Sequence, residues 1–389
     1  MKNHISSSQS HMKMLCETIG TRPTGSNNNR AALDYAFNVF QKSGLQTIKQ
    51  EFECMDWQKS GAILSIGSQN IPVEPAEYSL PCDIEAEYIC IDTVGMLENS
   101  QLQGKIAVMY GDLCKEPIMP KNFEFYNPDE HKRIIALLEE KQPMAIIAVS
   151  PLGENIIQDG DFNIPCAVVK ENTLDFFTGS NVKKIRLAIN TERIPARAHN
   201  VIARFGTGSN KVCFSAHIDT KPTTPGALDN ASGVSALLSL ANSLSGNTYP
   251  FQIEFVLFNG EDYYSTPGEI TFMRQLTKDY ILAINVDGIG LKGGNTSISF
   301  YKCTQGLENR FMECVKNVNG IERIEPWPMG DHMVFVNEGI PAVSITASKI
   351  FDMIGAVIHT EKDDMSNIDI NIIDNVTSFL SNILNRGGW

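Results

Sequence analysis

After residue 200 the chain becomes a series of unbroken apolar runs, at residues 200–204, 211–216, 251–258, 281–286, 297–301 and 342–345, with helical stretches between them. A strand that faces water on one side alternates apolar and polar positions, whereas one buried on both faces does not. The runs therefore predict an α/β fold, an α/β/α sandwich built on a mainly parallel central sheet. Upstream, residues 29–43 place Leu33, Ala36, Phe37 and Phe40 at helical spacing, Gly44 supplies the stop, and a strand is expected over 45–54. From residue 57 the texture changes: short β-rich runs at 105–110, 145–150 and 166–170 accompany one clear helical stretch at 132–141. A smaller β-rich domain over 57–194, inserted into a larger one made of 1–56 and 195–389, is the organisation this implies.

The polar residues that follow these apolar runs are of a restricted kind. His217 follows the run at 211–216, Glu261 and Asp262 follow the run at 251–258 after two loop residues, and Asp287 ends the run at 281–286. In open α/β sheets the carboxyl ends of the strands face the functional crevice, so three motifs arriving there support one another. Asp229 lies in the glycine-containing stretch Gly226-Ala-Leu-Asp229-Asn230-Ala-Ser-Gly233, just before a helical run, and His359 lies in a stretch expected to be loop. Two imidazoles and three carboxylates, His217, Asp229, Asp262, Asp287 and His359, can hold a pair of divalent cations, and Glu261 remains free to move a proton.

Each residue also has a plainer reading. Asp229 could cap the following helix, Glu261 and Asp262 could form a solvated acidic turn, and His359 could be a surface or satisfied core histidine. The order and strand-end placement of the whole set favour the metal reading. In Ser215-Ala-His217-Ile-Asp219-Thr220 the spacing of two puts His217 and Asp219 on one side of an extended backbone, so Asp219 is expected to accept the second ring N–H of His217. Asp331 and His332 are expected to line the site, while His4, His11, His131 and His199 are read as structural or exposed.

Composition narrows the function. With 389 residues, 42% hydrophobic, and a net charge of -13, the chain is long enough for one large and one smaller domain and is too acidic for a nucleic-acid or anionic-membrane partner. Nine scattered cysteines without a CxxC pair fit reduced thiols. No run approaches the length of a spanning helix, and residues 1–20 lack the apolar stretch of a secretory leader. A cytoplasmic protein is expected, or a secreted one where a native leader is missing.

The segments SAHIDT, GALDNASG, NGED, NVDG and IHTEKDD, with Ile19-Gly20-Thr21-Arg22-Pro23-Thr24-Gly25-Ser26 near the start, resemble the co-catalytic zinc aminopeptidases of the bacterial leucyl aminopeptidase kind, metallopeptidase family 28. The inserted stretch is similar to the protease-associated domain that several members carry. The resemblance implies a zinc-exopeptidase-like fold with two divalent ions, zinc foremost, one held by His217, Asp229 and Asp287 and the other by Asp229, Asp262 and His359. It implies Glu261 as general base in the hydrolysis of N-terminal residues from peptides with a free amine. Three departures bear on this: Glu-Asp stands where many members have Glu-Glu, Gly330 where members often have serine, and Glu325-Pro-Trp327-Pro-Met329 lacks a tyrosine some members use. A glutaminyl-cyclase-like activity with one zinc, a carboxypeptidase, and a non-enzymatic binding protein are the alternatives on the same fold. Oligomeric state, native metal and preferred N-terminal residue are not encoded in these motifs.

Overall fold

The computed structural model describes residues 7–151, 155–179, 182–316, 318 and 320–386; His4 lies outside the described residues. The chain divides into two compact units, one made of Met1–Cys54 and Ala196–Trp389 and the other of Met55–Pro195.

In the larger unit the strands follow the order Ile321–Arg323, Thr296–Tyr301, Ala342–Ala347, Tyr280–Val286, Lys211–His217, Gln252–Phe258 and the last residues of Lys184–Phe205. The four strands from Ala342–Ala347 to Gln252–Phe258 are mutually parallel, and antiparallel partners close both sides. Helices cover both faces of this sheet, so the fold is an α/β/α sandwich with a mostly parallel sheet. Burial on both sides explains the unbroken apolar runs. Along Lys211–His217, Val212, Phe214 and Ala216 join the core beneath the helices Asn27–Lys42, Ser232–Asn242 and Ile370–Arg386, while Cys213, Ser215 and His217 point the opposite way and are also buried. That opposite face is filled by Phe258, Phe272, Tyr280 and Phe335, whose rings meet edge to face at centroid distances of 5.2 to 6.4 Å.

The helix Asn27–Lys42 begins where Ser26 accepts a hydrogen bond from the Asn29 N–H (3.1 Å) and ends at Gly44, which takes a positive φ of 83°. Phe40 anchors it by packing on Phe255 at 5.4 Å, with Phe214 stacked on the same ring. The residues just before this helix, 20–26, are thereby fixed against the strand ends. The strand expected over 45–54 runs further, as Gln46–Ile66, and the expected loop at 351–369 includes the short helical turns Ile350–Met353 and Met365–Asn367.

In the smaller unit, Cys82–Ile91, Ile106–Met109, Ala145–Ser150 and Cys166–Lys170 form parallel neighbours, with Glu74–Pro75 and the first residues of Lys184–Phe205 pairing antiparallel at the two sides. The helix Asp129–Lys141 buries Ile134, Ile135 and Leu138 in a core with Ala107, Met109 and Ile146. Among the described residues, no helix is long and apolar enough to cross a membrane.

Candidate metal centre

The carboxyl ends of the parallel strands deliver the site. His217 is the last residue of its strand, Asp287 follows Tyr280–Val286, and Glu261 and Asp262 follow Gln252–Phe258 by a turn at Gly260. Gly260 adopts φ 115°, and a Cβ there would come within 2.9 Å of the Pro267 ring, so only glycine makes this turn without displacement. Asp229 comes from the irregular turn Ala227–Ala231, and His359, at φ 63°, from a loop.

These five side chains converge. His217 Nε2 lies 2.8 Å from Asp229 Oδ1 and 3.5 Å from Asp287 Oδ1. His359 Nε2 lies 3.1 Å from Asp229 Oδ2 and 3.0 Å from Asp262 Oδ1. The donor atoms of His217, Asp229 and Asp287 all fall within 4.8 Å of one another, as do those of Asp229, Asp262 and His359. Asp229 is shared, presenting one carboxylate oxygen to each histidine. The second oxygen of Asp262, Oδ2, is buried and has no hydrogen-bond partner. Mixed imidazole and carboxylate donors at this spacing suit zinc or a similar divalent ion.

Electrostatics reflects the crowding. Burial pushes the Glu261 carboxyl well above the usual range, and the charges of Asp262, Asp287 and Asp229 add to this. Burial also raises Asp287. Burial opposes the charged form of His217 and of His359, yet the facing carboxylates, led by Asp287 for the first and Asp262 for the second, raise both well above the ordinary imidazole value. Burial works against the Asp229 charge too, but its hydrogen bonds to the two imidazoles lower its carboxyl. A divalent ion would replace those imidazole protons.

Asp219 faces the second ring nitrogen of His217 as an ion pair, Oδ1 standing 3.7 Å from Nδ1, longer than a hydrogen bond. The Asp219 carboxylate instead accepts the N–H groups of Gly260 (2.8 Å), Glu261 (3.3 Å) and Asp262 (3.2 Å), and the Thr24 hydroxyl at 3.0 Å. Asp219 fixes the turn that carries Glu261 and Asp262.

Asp331, expected at the site, interacts with Glu261 and with Glu269, a residue the motifs did not single out. Glu269 and Asp331 are both buried, and burial raises both carboxyls, Glu269 to about 8 and Asp331 well above its usual range. Each carboxyl adds to the crowding of the other, and Glu269 Oε2 and both Asp331 oxygens have no hydrogen-bond partner. His332 is equally buried, with its ring 4.4 Å from Tyr301 and 5.5 Å from Trp327. Neither Asp331 nor His332 forms an exposed wall; the exposed side chain of this segment is Met329. His11, His131 and His199 are buried outside both donor sets.

Burial holds the His332 imidazole down at about 4, so it stays neutral in the fold while the unfolded chain takes up a proton below about 6.5. Its contribution to stability is complete above that value and is lost as pH falls towards 4. A His332→Phe variant should therefore lose less stability than the wild type between pH 7 and pH 5, by about 1–2 kcal/mol. Denaturant titrations at both pH values measure this; equal losses would mean that His332 already protonates within the fold.

The overlapping His and Asp donor sets stand at the carboxyl edge of a parallel sheet, an arrangement that could hold a divalent ion. Residues 200–384 match the model of Peptidase family M28. The chain is 26% identical to the "Probable lipoprotein aminopeptidase LpqL" of Mycobacterium tuberculosis over 278 residues, 68% of this chain and 53% of that protein. It thus spans about half the length of that curated relative. Among solved structures it superposes on a zinc aminopeptidase from Bacillus subtilis with a TM-score of 0.76 at 18% identity, covering 99% of this chain and 96% of that one. The fold is also shared with a glutaminyl cyclase of Porphyromonas gingivalis, at a TM-score of 0.55 and 17% identity, over 98% of this chain and 99% of that one.

Proposed function

We propose that this chain is a metal-dependent aminopeptidase that removes N-terminal residues from peptides, using two divalent ions, zinc foremost. His217, Asp229 and Asp287 hold one ion, Asp229, Asp262 and His359 hold the other, and Glu261 is the general base. The observation that carries the reading is Asp229, with one oxygen 2.8 Å from His217 Nε2 and the other 3.1 Å from His359 Nε2. A glutaminyl cyclase needs one complete set, whereas here both are complete. The M28 domain and the aminopeptidase relative support the substrate class. The unit Met55–Pro195 is read as the protease-associated-like insertion.

Bound at these sets, divalent ions supply Lewis acidity and lower the pKa of water. Glu261 belongs to neither donor set and is therefore free to take the proton of the attacking water and pass it to the departing amine. Asp219 holds the Glu261 backbone in place through its 2.8 Å bond to the preceding amide. The surplus of carboxylates, Asp229, Asp262, Asp287 and Glu261, against two imidazoles favours a cationic α-ammonium group over a C-terminal carboxylate.

Comparing a free short peptide with its N-acetylated form tests this. The zinc-loaded protein should release the N-terminal residue of the free peptide and leave the acetylated one intact. Equal cleavage, or release of the C-terminal residue from the acetylated peptide, would overturn the aminopeptidase reading.

A further inference from the structure

Arg22 is fully buried, yet its hydrogen bonds go to neutral oxygens. Its Nε donates to the Ile218 carbonyl at 2.7 Å, and its two terminal nitrogens donate to the carbonyls of Pro225 at 2.7 Å and Gly226 at 2.9 Å. Its backbone N–H donates to Thr220 Oγ1 at 3.0 Å. Ile218 follows the ligand His217, and Pro225 and Gly226 open the turn that carries Asp229. One guanidinium therefore ties two ligand-bearing segments together from a part of the chain about two hundred residues away, its rigid fork matching three carbonyls at once.

The other side of the same turn is held by the opposite charge. The buried Asp363 carboxylate accepts the Leu228 N–H at 2.6 Å through Oδ1 and the Asp229 N–H at 3.0 Å through Oδ2, and its carbonyl accepts the Ala227 N–H at 3.1 Å. Asp363 stands four residues after the ligand His359. The turn from Pro225 to Asp229 is gripped at its carbonyls by a guanidinium and at its N–H groups by a carboxylate; burial and the Asp229 charge push the Asp363 carboxyl up to about 7, and the two N–H groups and Arg22 pull it down. The grip leaves no slack: a Cβ on Gly226 would come within 2.3 Å of Thr220 and 3.2 Å of the guanidinium. Desolvating a guanidinium is costly, and carbonyl oxygens return only part of that cost, so folding alone gives a poor reason to bury one here.

We infer that Arg22 and Asp363 are positioning residues that set the bridging carboxylate of Asp229 at its distances from His217 and His359, and so control retention of both ions. The inference rests on the two-metal reading of the same residues. Because Asp229 serves both sets, disturbing its turn weakens both binding steps together, whereas loss of a ligand belonging to one set, such as Asp287, weakens chiefly one. Groups that orient ligands typically change metal affinity by about 10–100-fold.

The test is competition of the chelator-stripped protein with a chromophoric zinc chelator, comparing wild type, Asp363→Asn and Arg22→Lys, alongside melting of the metal-free proteins. A carboxamide offers one acceptor oxygen to two N–H groups, and a lysine cannot span three carbonyls, so both zinc affinities should fall by about 10–100-fold while the metal-free protein, though less stable, still melts as a folded one. Should Arg22→Lys fail to fold, Asp363→Asn decides. Affinities within twofold of the wild type overturn the inference, as does an Asp363→Asn protein already unfolded without zinc. A wild type that binds no zinc overturns the proposed function as well, which separates that failure from this one.

Discussion

Glu261→Gln should retain zinc and lose turnover by roughly a hundredfold or more, the scale expected when a positioned proton acceptor is removed. The substitution keeps the volume, the backbone bond from Glu261 N–H to Asp219, and both donor sets, because Glu261 belongs to neither. It removes only the ability to take a proton. An amide at this buried position also avoids the repulsion that Asp262, Asp287 and Asp229 exert on the Glu261 carboxylate, so the variant should fold at least as well as the wild type. Turnover at saturating zinc, with zinc content measured on the same sample, checks it. Near-normal turnover would assign the base to another group, and Asp331, which interacts with Glu261, would be the next to replace.

The parts of this molecule visible in its sequence are those set by local periodicity. Unbroken apolar runs revealed strands buried on both faces, because burial on each side of Val212, Cys213 and Phe214 leaves no room for polar alternation. The ligands were legible for a related reason: they stand at the ends of those runs, where the chain must leave the sheet. Asp219 does face the second ring nitrogen of His217, at 3.7 Å, but its close bonds go to the Gly260, Glu261 and Asp262 amides, which the spacing of two could not show. His332 was expected beside substrate and is instead packed against Tyr301 and Trp327. Glu269, Arg22 and Asp363 act through contacts separated by up to about two hundred residues, such as Arg22 with Gly226, and no local pattern encodes such a contact. Arg22 stood in the sequence only as part of a segment carrying the family resemblance; the fold is what turns the carbonyls of Ile218, Pro225 and Gly226 towards it.

Removal of metal should have the other large effect. His217 and His359 face the carboxylates of Asp229, Asp287 and Asp262, which raise both imidazoles well above their ordinary value, so without divalent ions protons compete for the ligand nitrogens. Such a site binds neither zinc nor substrate productively until those protons leave. Chelator-treated protein should therefore hydrolyse an aminoacyl chromogenic substrate at least a hundredfold more slowly than the zinc-loaded protein, by the order-of-magnitude contribution of metal activation. Adding zinc back in steps while recording both bound metal and rate is the most direct measurement. A site built on a shared Asp229 predicts that activity rises to its plateau as about two equivalents bind per chain. Full activity in metal-free protein, or a plateau reached at one equivalent with no second ion bound, would contradict it.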